Sequence, residues 1–365
     1  MRPPSIPSQY RRYGAALCYH ARVYDSSHPL VSVVILSYNC VDLLPRAVAS
    51  VRAQRYDAVE LIVVDNASTD GTLDALGTID GAARVLRQAE NSGFARGMNA
   101  GYAAARGDYL VFLNCDVVLH PDFIANAVDL FARHPDVGVI GANVWRIARD
   151  GAWRFWESPA PHGLPYDGGV VALDRGMRVL GLTDGGVAWQ TSFKANGACP
   201  VVRRTLLDQM ERRFGVAPFD PVFDTYGEDV DFAFKAWALR WRTMFAATVV
   251  AGHVRSYASE LHLWDKRGRL RVNLIAERYI NALRYLPPAR LRAVLAASLW
   301  TDAAEATRRR RTGDRAAYRD LGAALWRVAG LWPALARFRR THHAWTRIDY
   351  AHEVFLVDAP GAPME

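Results

Sequence analysis

The sequence predicts an α/β fold with a mainly parallel central sheet and helices on both faces. Short β-branched apolar runs such as VSVVILS (31–37) alternate with segments of helical spacing up to residue 144. The connections between these segments are short. This alternation is typical of βαβ units, whose strands are parallel and buried on both faces.

The elements follow in a regular order. Strands are predicted at 31–37, 59–65, 83–88, 108–114 and 137–144, and helices at 42–54, directly after Asp70, at 94–105 and at 121–134. Asp70 is a suitable N-cap, and Pro121 suits a first helical turn. After a stretch without periodicity, a strand at 197–204, a helix at 227–240 and a strand at 242–250 are predicted, with mostly helices beyond about 260.

The pattern divides the chain into three parts. Residues 1–29 are predicted to be an N-terminal extension, 30–258 the α/β domain and 259–365 a basic, mostly helical C-terminal region. The stretch at about 145–195 is rich in Gly, Trp and Pro and is predicted to be a loop-rich insertion.

Composition restricts the setting. No run of 18 apolar residues predicts a membrane-spanning helix, and the first residues lack the apolar stretch of a secretory signal. The four cysteines are scattered without metal-ligand spacing, which favours a reducing, cytoplasmic location. Only three of the 45 basic residues are lysines: Lys194, Lys235 and Lys266.

The positive charge is concentrated near the C-terminus. Residues 266–348 hold 19 basic and five acidic residues, a local charge of +14, whereas the whole chain carries +8. Basic helices with Leu and Trp at helical spacing favour either peripheral contact with an anionic membrane or homodimerisation, and a simple solvated surface is a third interpretation. No nucleic-acid motif accompanies the arginines, so no nucleic-acid partner is expected.

Polar residues stand where the predicted strands end. They include Ser37, Tyr38 and Asn39 after the first strand, Asp65 and Asn66 after the second, Asn91 and Ser92 after the third, and Asn114 and Asp116 after the fourth. Because ligands of parallel sheets bind beyond the carboxyl ends of the strands, these clusters are expected at one rim.

Five segments together resemble glycosyltransferase family 2. They are VSVVILSYN, ELIVVDNASTDGT, ENSGFARGMNAG, GDYLVFLNCD and GEDVDF, in that order between about residues 30 and 255. The resemblance implies a GT-A fold and inverting transfer of a sugar from a nucleoside diphosphate donor. The NSGFARGMN and FLNCD variants look most like the bacterial rhamnosyltransferase-like branch, which implies possible transfer of rhamnose.

The resemblance implies a donor site at the predicted rim. Its residues would be Ser37, Tyr38, Asn39, Asp65, Asn66, Gly93, Arg96, Asn99 and Asn114. The Asp65 carboxylate could accept a hydrogen bond from a pyrimidine N–H, although Asp65 could instead cap the next turn. On the resemblance alone, a dTDP- or UDP-sugar is favoured. Asn39 could likewise be a simple cap, and Arg96 a surface arginine.

Asn114 and Asp116 take the place of the family's metal-binding DxD motif. The resemblance implies that Asp116 binds Mg²⁺ or Mn²⁺, whose remaining ligands come from substrate phosphates and water. Asn114 departs from the motif and is a weak ligand. The resemblance implies His253 as the second ligand, because the family often places a metal-binding His after this strand, although a lone His in a loop could also be polar surface. Cys115 is expected to face the core, because strand neighbours alternate.

Glu228 and Asp229 open the helix predicted at 227–240. The resemblance implies that Asp229 takes the proton from the acceptor hydroxyl and that Glu228 orients the acceptor, while acids at a helix start could also simply oppose the macrodipole. Trp189 and Asn196 are further acceptor candidates. Trp145, Trp153, Trp156 and Trp189 could stack on sugars or fill the insertion's core.

Two other functions remain open at this point. A degenerate GT-A domain could act as a binding scaffold, an interpretation supported by Asn114. A sugar nucleotidyltransferase is also conceivable, but no Gly-rich, basic phosphate loop follows the first strand. The acceptor, whether a glycan, a lipid-linked sugar or a small molecule in cell-surface glycan assembly, is not specified by any motif.

Overall fold

The structure is a computed structural model of the chain. It describes residues 28–77, 83–147, 149, 170–174, 177, 179–182, 188–216, 218–223, 226–254, 263–352 and 354–355. The predicted N-terminal extension up to residue 27 and much of the predicted insertion, including Trp153 and Trp156, lie outside these residues.

The described elements follow the predicted order closely. The strands are β1 (Val31–Ser37), β2 (Val59–Asp65), β3 (Ala83–Arg87), β4 (Tyr109–Asn114), β5 (Val117–Leu119), β6 (Val137–Arg146), β7 (Val170–Leu173), β8 (Val179–Leu182), β9 (Trp189–Ser192), β10 (Val201–Arg203) and β11 (Arg242–His253). The helices are α1 (Leu44–Arg52), α2 (Thr72–Gly77), α3 (Gly93–Ala104), α4 (Phe123–Arg133), α5 (Arg204–Phe214), α6 (Glu228–Ala238), α7 (Arg269–Tyr285), α8 (Pro288–Arg311), α9 (Ala317–Gly330) and α10 (Trp332–His342).

Nine described strands form one sheet. Its order is β3-β2-β1-β4-β10-β6-β11-β5, and β9 also pairs with β11. The pairs β1–β2, β2–β3, β1–β4 and β6–β11 are parallel, which confirms the predicted α/β fold. The prediction did not include the central position of β10, which lies antiparallel between β4 and β6.

Helices cover both faces of this sheet. Val33 and Ile35 face a core shared with α1 and α4, while Val34 faces a second core shared with α3, α5 and α6. Helix α3 lies very close to the sheet, because a Cβ at Gly101 would come within 2.1 Å of Val34 Cγ1. A larger residue at that position would force the helix away.

The C-terminal helices share the second core instead of forming a separate body. Tyr285 of α7 and Phe338 of α10 belong to the same cluster as Phe112 of the sheet and Phe234 of α6. The rings of Phe234 and Tyr285 stack at 4.7 Å. Helices α7 to α10 therefore support the α/β domain directly.

A buried ion network joins α6 to α7. Asp231 of α6, fully buried, pairs with Lys235 at 2.7 Å and with Arg284 Nη1 at 2.9 Å, and it accepts a hydrogen bond from Tyr285 Oη at 2.7 Å. Arg284 also pairs with Asp220 at 2.8 Å. Burial alone would raise the pKa of Asp231, but Lys235 and Arg284 hold that pKa below its ordinary value.

Arg284→Met tests this network. We expect the free energy of unfolding to fall by about 3–5 kcal/mol, because the substitution leaves buried carboxylates with too little positive charge. Urea-induced unfolding measures the change. The matched control is Arg337→Met, an exposed position on α10, for which we expect a change within about 0.5 kcal/mol. Equal losses in both variants would contradict the assigned role of the network.

Candidate active site

The polar strand ends meet at one rim, as predicted. In the parallel registers Ser37 of β1 lies opposite Asp65 of β2, and Leu36 lies opposite Asn114 of β4. The residues that follow β1, β2 and β4 are therefore neighbours across three adjacent strands. This places the candidate donor residues along one edge of the sheet.

Asp65 has a buried carboxylate with one oxygen available. Its Oδ2 accepts a hydrogen bond from the backbone N–H of Ser68 at 3.2 Å. Its Oδ1 is buried and has no hydrogen-bond partner among the described residues. An unpaired buried carboxylate oxygen is costly, so its presence at the rim favours a ligand N–H or O–H as the missing donor.

Asn66 connects two rim loops. Its Nδ2 donates to Asn91 Oδ1 at 2.9 Å and to the carbonyl of Gly93 at 3.2 Å, while its Oδ1 accepts from the backbone N–H of Ser92 at 3.0 Å. Gly93 begins α3 with a φ of +81°, a conformation that favours glycine. The amide of Asn66 thus shapes the entry to α3.

Asn39 connects the loops after β1 and β2. Its side-chain Oδ1 accepts from the N–H of Thr69 at 2.9 Å, and its own N–H donates to Ser68 Oγ at 3.0 Å. Tyr38 beside it is exposed, whereas the buried Ser37 hydroxyl contacts Cys40 Sγ at 3.2 Å. Of these predicted donor residues, Tyr38 presents its side chain to the rim, and Asn39 and Ser37 shape the loop.

Asn99 does not fit its predicted role in donor binding. Its Nδ2 donates to the carbonyl of Phe219 at 2.6 Å, and its Oδ1 accepts from the N–H of Phe219 at 3.1 Å. Both ends of the amide thus fix the segment that precedes α6. Arg96, one turn earlier on α3, is exposed and stays a donor candidate.

Asp116 and His253 converge although 137 positions separate them. His253 ends β11 and pairs with Val117 of β5, the residue after Asp116. The imidazole Nε2 lies 3.2 Å from Asp116 Oδ2, and the ring Nδ1 is buried without a hydrogen-bond partner among the described residues. A carboxylate is a ligand that both Mg²⁺ and Mn²⁺ prefer, whereas an imidazole suits a transition metal such as Mn²⁺ better than Mg²⁺; substrate oxygens would be the further ligands.

These two residues are the candidate metal ligands of the rim. Within the described ranges, no group of three His, Cys, Asp or Glu side chains could hold a metal ion. Cys115 packs against the core beside Cys40, as predicted. The side chains present therefore fit a cation that takes its remaining ligands from a bound diphosphate.

The loop at residues 196–199 connects the rim at Asn114 to α6. The N–H of Asn114 donates to the carbonyl of Ala198 at 2.9 Å. Asn196 Oδ1 accepts from the N–H of Ala198 at 2.8 Å and holds the turn. A Cβ at Gly197 would lie 3.5 Å from Asp229 Oδ2, so this loop touches both the rim and the candidate base.

Asp229 is paired with a lysine that the sequence analysis did not assign to the site. Lys194 Nζ donates to Asp229 Oδ2 in a short, largely buried contact. Asp229 also borders an apolar pocket walled by Phe94, Phe219 and Phe232. Lys194 thus places a positive charge directly beside this carboxylate.

Glu228 lies beside Asp229 in a different state. Burial, and then the charge of Asp229, raise the pKa of Glu228 to about 8. A second buried acid, Glu277 of α7, has a pKa held well above its ordinary value by burial and by the charges of Asp229 and Glu228. The site therefore combines two acids whose pKa values are raised with one carboxyl group that is paired with a lysine.

Trp189 is not at this rim, which corrects its prediction as an acceptor residue. Its ring lies 4.7 Å from that of His134, at the opposite end of β6 from the strand ends that form the site. The reason is the antiparallel course of β9, which begins opposite Ala246 in the middle of β11. Trp145, by contrast, is near the rim end of β6.

Two site residues were missed by sequence reasoning for different reasons. Lys194 had one usable signal, since it is one of only three lysines in the chain. Lys194 contacts Asp229 of α6, Lys235 lies within α6, and Lys266 contacts Tyr226 shortly before α6. Glu277 had none, because a single acid within a helical pattern usually faces solvent. Only the packing of α7 on α6 places it in the site.

Comparisons with known proteins agree with this geometry. Residues 32–174 match the family described as glycosyl transferase family 2. TuaG of Bacillus subtilis strain 168, provisionally named a teichuronic acid biosynthesis glycosyltransferase, is 35% identical over 143 residues, which cover 38% of this chain and 56% of TuaG. The first four curated relatives are matched over only 20% to 56% of their length.

Two solved structures share the fold. GalNAc-T7 with UDP, GalNAc and Mn²⁺ superimposes with a TM-score of 0.57 at 17% identity, covering 73% of this chain and 49% of that one. Residues 1–349 of S. aureus TarS superimpose with a TM-score of 0.53 at 16% identity, covering 87% and 89%. Together, the family match over residues 32–174 and the shared fold identify a glycosyltransferase family 2 domain with a GT-A fold within this chain.

Proposed function

We propose that this protein transfers a sugar from a nucleoside diphosphate sugar to an acceptor hydroxyl, with inversion, in glycan assembly. The observation that carries the proposal is the contact of Asp229 with Lys194, together with the loop at 196–199 that connects Asp229 to the rim at Asn114 and Asp116. This arrangement supplies one base next to a donor site. Inverting transfer needs no second carboxylate as a nucleophile.

The donor seat extends along the rim from β2 to β4. Asp65 offers its unpaired Oδ1 to a base N–H, and the exposed Tyr38 ring offers a stacking surface. Because a carboxylate accepts a hydrogen bond from the N3–H of uracil or thymine, the geometry supports a UDP- or dTDP-sugar. Rhamnose is the candidate sugar from the sequence resemblance alone.

Asp116 and His253 would hold a divalent cation together with the donor diphosphate. The cation would offset the negative charge that develops on the leaving nucleoside diphosphate. The fold relative GalNAc-T7, whose structure contains Mn²⁺, supports this assignment. Asp229 takes the proton from the acceptor hydroxyl, while Asn196 and Glu228 border the space where that acceptor binds.

The two alternative functions are less well supported. A binding scaffold would not require a lysine-paired carboxyl group beside two acids of raised pKa. Such an arrangement is typical of catalytic sites. A nucleotidyltransferase would need basic groups around the transferred phosphate, whereas the loop after β1 is held by Asn39, Ser68 and Asp70. The acceptor is a glycan, a lipid-linked sugar or a small molecule. Because TuaG is provisionally named for teichuronic acid biosynthesis, a glycan is the first acceptor class to test.

An exposed aromatic surface on α8 to α10 supports contact with a membrane. Trp300, Trp326 and Trp332 are 77%, 81% and 57% exposed. Thr307 of α8 contacts Tyr318 of α9 at 2.6 Å. Trp300 lies seven residues before this contact and Trp326 eight residues after it, about two turns or ~11 Å along each helix, so the two rings lie at the same level.

The charge around these tryptophans favours an anionic membrane over a second copy of the chain as the partner. The exposed charged residues of 288–341 are all arginines, since Glu305 and Asp314 are half-buried in ion pairs. A symmetric dimer would place this basic surface against itself, which like charges oppose. Exposed tryptophans beside arginines instead fit an anionic lipid surface. No described helix is long and apolar enough to cross a bilayer.

Asp229→Asn tests the catalytic proposal. We expect donor turnover to fall by about 10²–10⁴-fold, because the base is lost, with nucleotide binding retained. Donor hydrolysis or transfer is followed by release of the nucleoside diphosphate. The control Asp136→Asn makes the same change at the opposite edge of the sheet and should leave turnover unaltered. Normal turnover in Asp229→Asn would rule out this base.

Asp116→Asn tests the metal assignment without relying on turnover. Mn²⁺ should increase the thermal stabilisation of the protein by UDP or dTDP, and this increase should disappear in Asp116→Asn and in His253→Ala. Asp122→Asn, a surface carboxylate paired with Arg55, is the control. A metal-dependent shift that persists in both rim variants would show that other residues bind the ion.

The double substitution Trp300→Ala and Trp326→Ala tests the membrane proposal. Wild-type protein should sediment with phosphatidylglycerol-containing vesicles but not with pure phosphatidylcholine, and the double variant should lose binding by about tenfold or more, since two interfacial rings are removed. Trp189→Ala, another exposed tryptophan, is the control. A concentration-dependent dimer that the double variant abolishes would instead support self-association.

A further inference from the structure

The Glu277 side chain packs against Gly227, the residue that precedes α6, and α6 contains the candidate base Asp229. A Cβ built at Gly227, whose φ is +87°, would lie 2.1 Å from Glu277 Oε2 and 2.6 Å from its Cβ. Gly227 directly precedes Glu228 and Asp229. The Glu277 side chain therefore occupies the space that any other residue at position 227 would need.

Among the residues that the structure describes, the cluster has more acid groups than cations. Glu277 Oε2 and Glu228 Oε2 are both buried without a hydrogen-bond partner among the described residues. Lys194 is the cation in direct contact, and it contacts Asp229. Arg278, the next residue on α7, makes its short contact with Asp302 of α8. Three carboxyl groups in a half-buried space cannot all be ionised against one lysine.

We propose that Glu277 is a positioning residue for the base: as a neutral acid packed on Gly227, it lets Lys194 hold Asp229 as the single carboxylate of the cluster. This inference rests on the proposed function, in which Asp229 accepts the proton. It also gives the C-terminal helices a part in the site, because α7 supplies one of its four ionisable groups.

The charges that face Glu277 give the direction of its pH dependence. Asp229 and Glu228 of α6 oppose its ionisation, while Lys194 after β9 and Arg278 on its own helix favour ionisation. Burial and the two acids outweigh the cations, so the pKa of Glu277 is raised in the folded protein. The unfolded chain loses this proton near pH ~4.3, so stability falls as pH rises above that value.

Glu277→Gln tests the inference without any need for turnover. Glutamine keeps the size of the neutral acid but cannot ionise. Between pH 5 and 9, the unfolding equilibrium constant of the wild type should rise relative to that of Glu277→Gln, by up to about tenfold per pH unit. The informative quantity is this slope, measured by thermal or urea unfolding, and a constant offset between the proteins does not affect it.

The control is Glu305→Gln on α8. Its carboxylate is bound by Arg308 and Arg309, which lower the pKa of Glu305 to about 2, so its removal should leave the slope between pH 5 and 9 unchanged. Parallel curves for the wild type and Glu277→Gln would overturn the proposal, because Glu277 would then be ionised in the folded protein.

Turnover adds a second readout. In Glu277→Gln, the alkaline fall of kcat should move to higher pH than in the wild type, because the substituted residue cannot ionise. An alkaline limb that stays at the wild-type pH would contradict the role of Glu277. If Glu277→Gln does not fold, Lys194→Gln is the alternative test. In that variant the acid limb of the pH profile of kcat should move to higher pH, and Lys194→Arg should restore the wild-type position of this limb. An unmoved acid limb would overturn the proposal.

The outcomes separate this inference from the proposed function. If no donor is turned over under any condition, the unfolding slopes still show whether Glu277 is neutral. If turnover depends on Asp229 but the slopes are parallel, the proposed function stands and the role of Glu277 falls.

Discussion

The position of α6 depends on the buried contact between Asp231 and Arg284. This ion pair, with Lys235 and Tyr285, fixes α6 against α7 at a point two residues beyond Asp229. A buried carboxylate is tolerable only when cations and donors surround it, so the contact holds only if α7 is in place. The direction in which α6 presents Asp229 to the rim therefore depends on the C-terminal helices.

The same first turn of α6 contains acids in opposite states. Asp231 and Asp229 are paired with Arg284 and Lys194, respectively, whereas burial raises the pKa of Glu228, which precedes both, to about 8. Acids at a helix start are ordinarily explained by the macrodipole alone. Here each of the three has its own partner or lack of one, and that difference separates a structural residue, a base and a neutral neighbour.

The rim was predictable because strand ends are a local feature of the sequence. Asp65 and Asn114 follow apolar runs, and parallel pairing brings such positions together whatever lies between them. The convergence of Asp116 and His253 was predicted from family resemblance, and the short pairing of β5 with β11 is its structural reason. Roles that depend on side-chain packing were less predictable. Asn99 lies on the expected helix, yet its amide is used by the backbone of Phe219.

Features that depend on contacts between distant segments could not be predicted from the sequence. Nothing local shows that β10 enters the sheet antiparallel, that Trp189 lies far from the rim, or that Glu277 reaches Gly227. These features follow from how separate segments fit one core. The basic C-terminal region was likewise recognisable by charge, but its shared core with the sheet follows from the packing of Tyr285 against α6 and of Phe338 against Phe214 of α5.

The central claim is that Asp229 acts as the base of a single in-line displacement. The most direct measurement is NMR of the sugar released by donor hydrolysis, recorded before the free sugar equilibrates between its anomers. The account predicts that the first-formed sugar has the anomeric configuration opposite to that of the donor. A first-formed sugar with the donor's own configuration would contradict it, because retention requires two displacements or a different attack geometry.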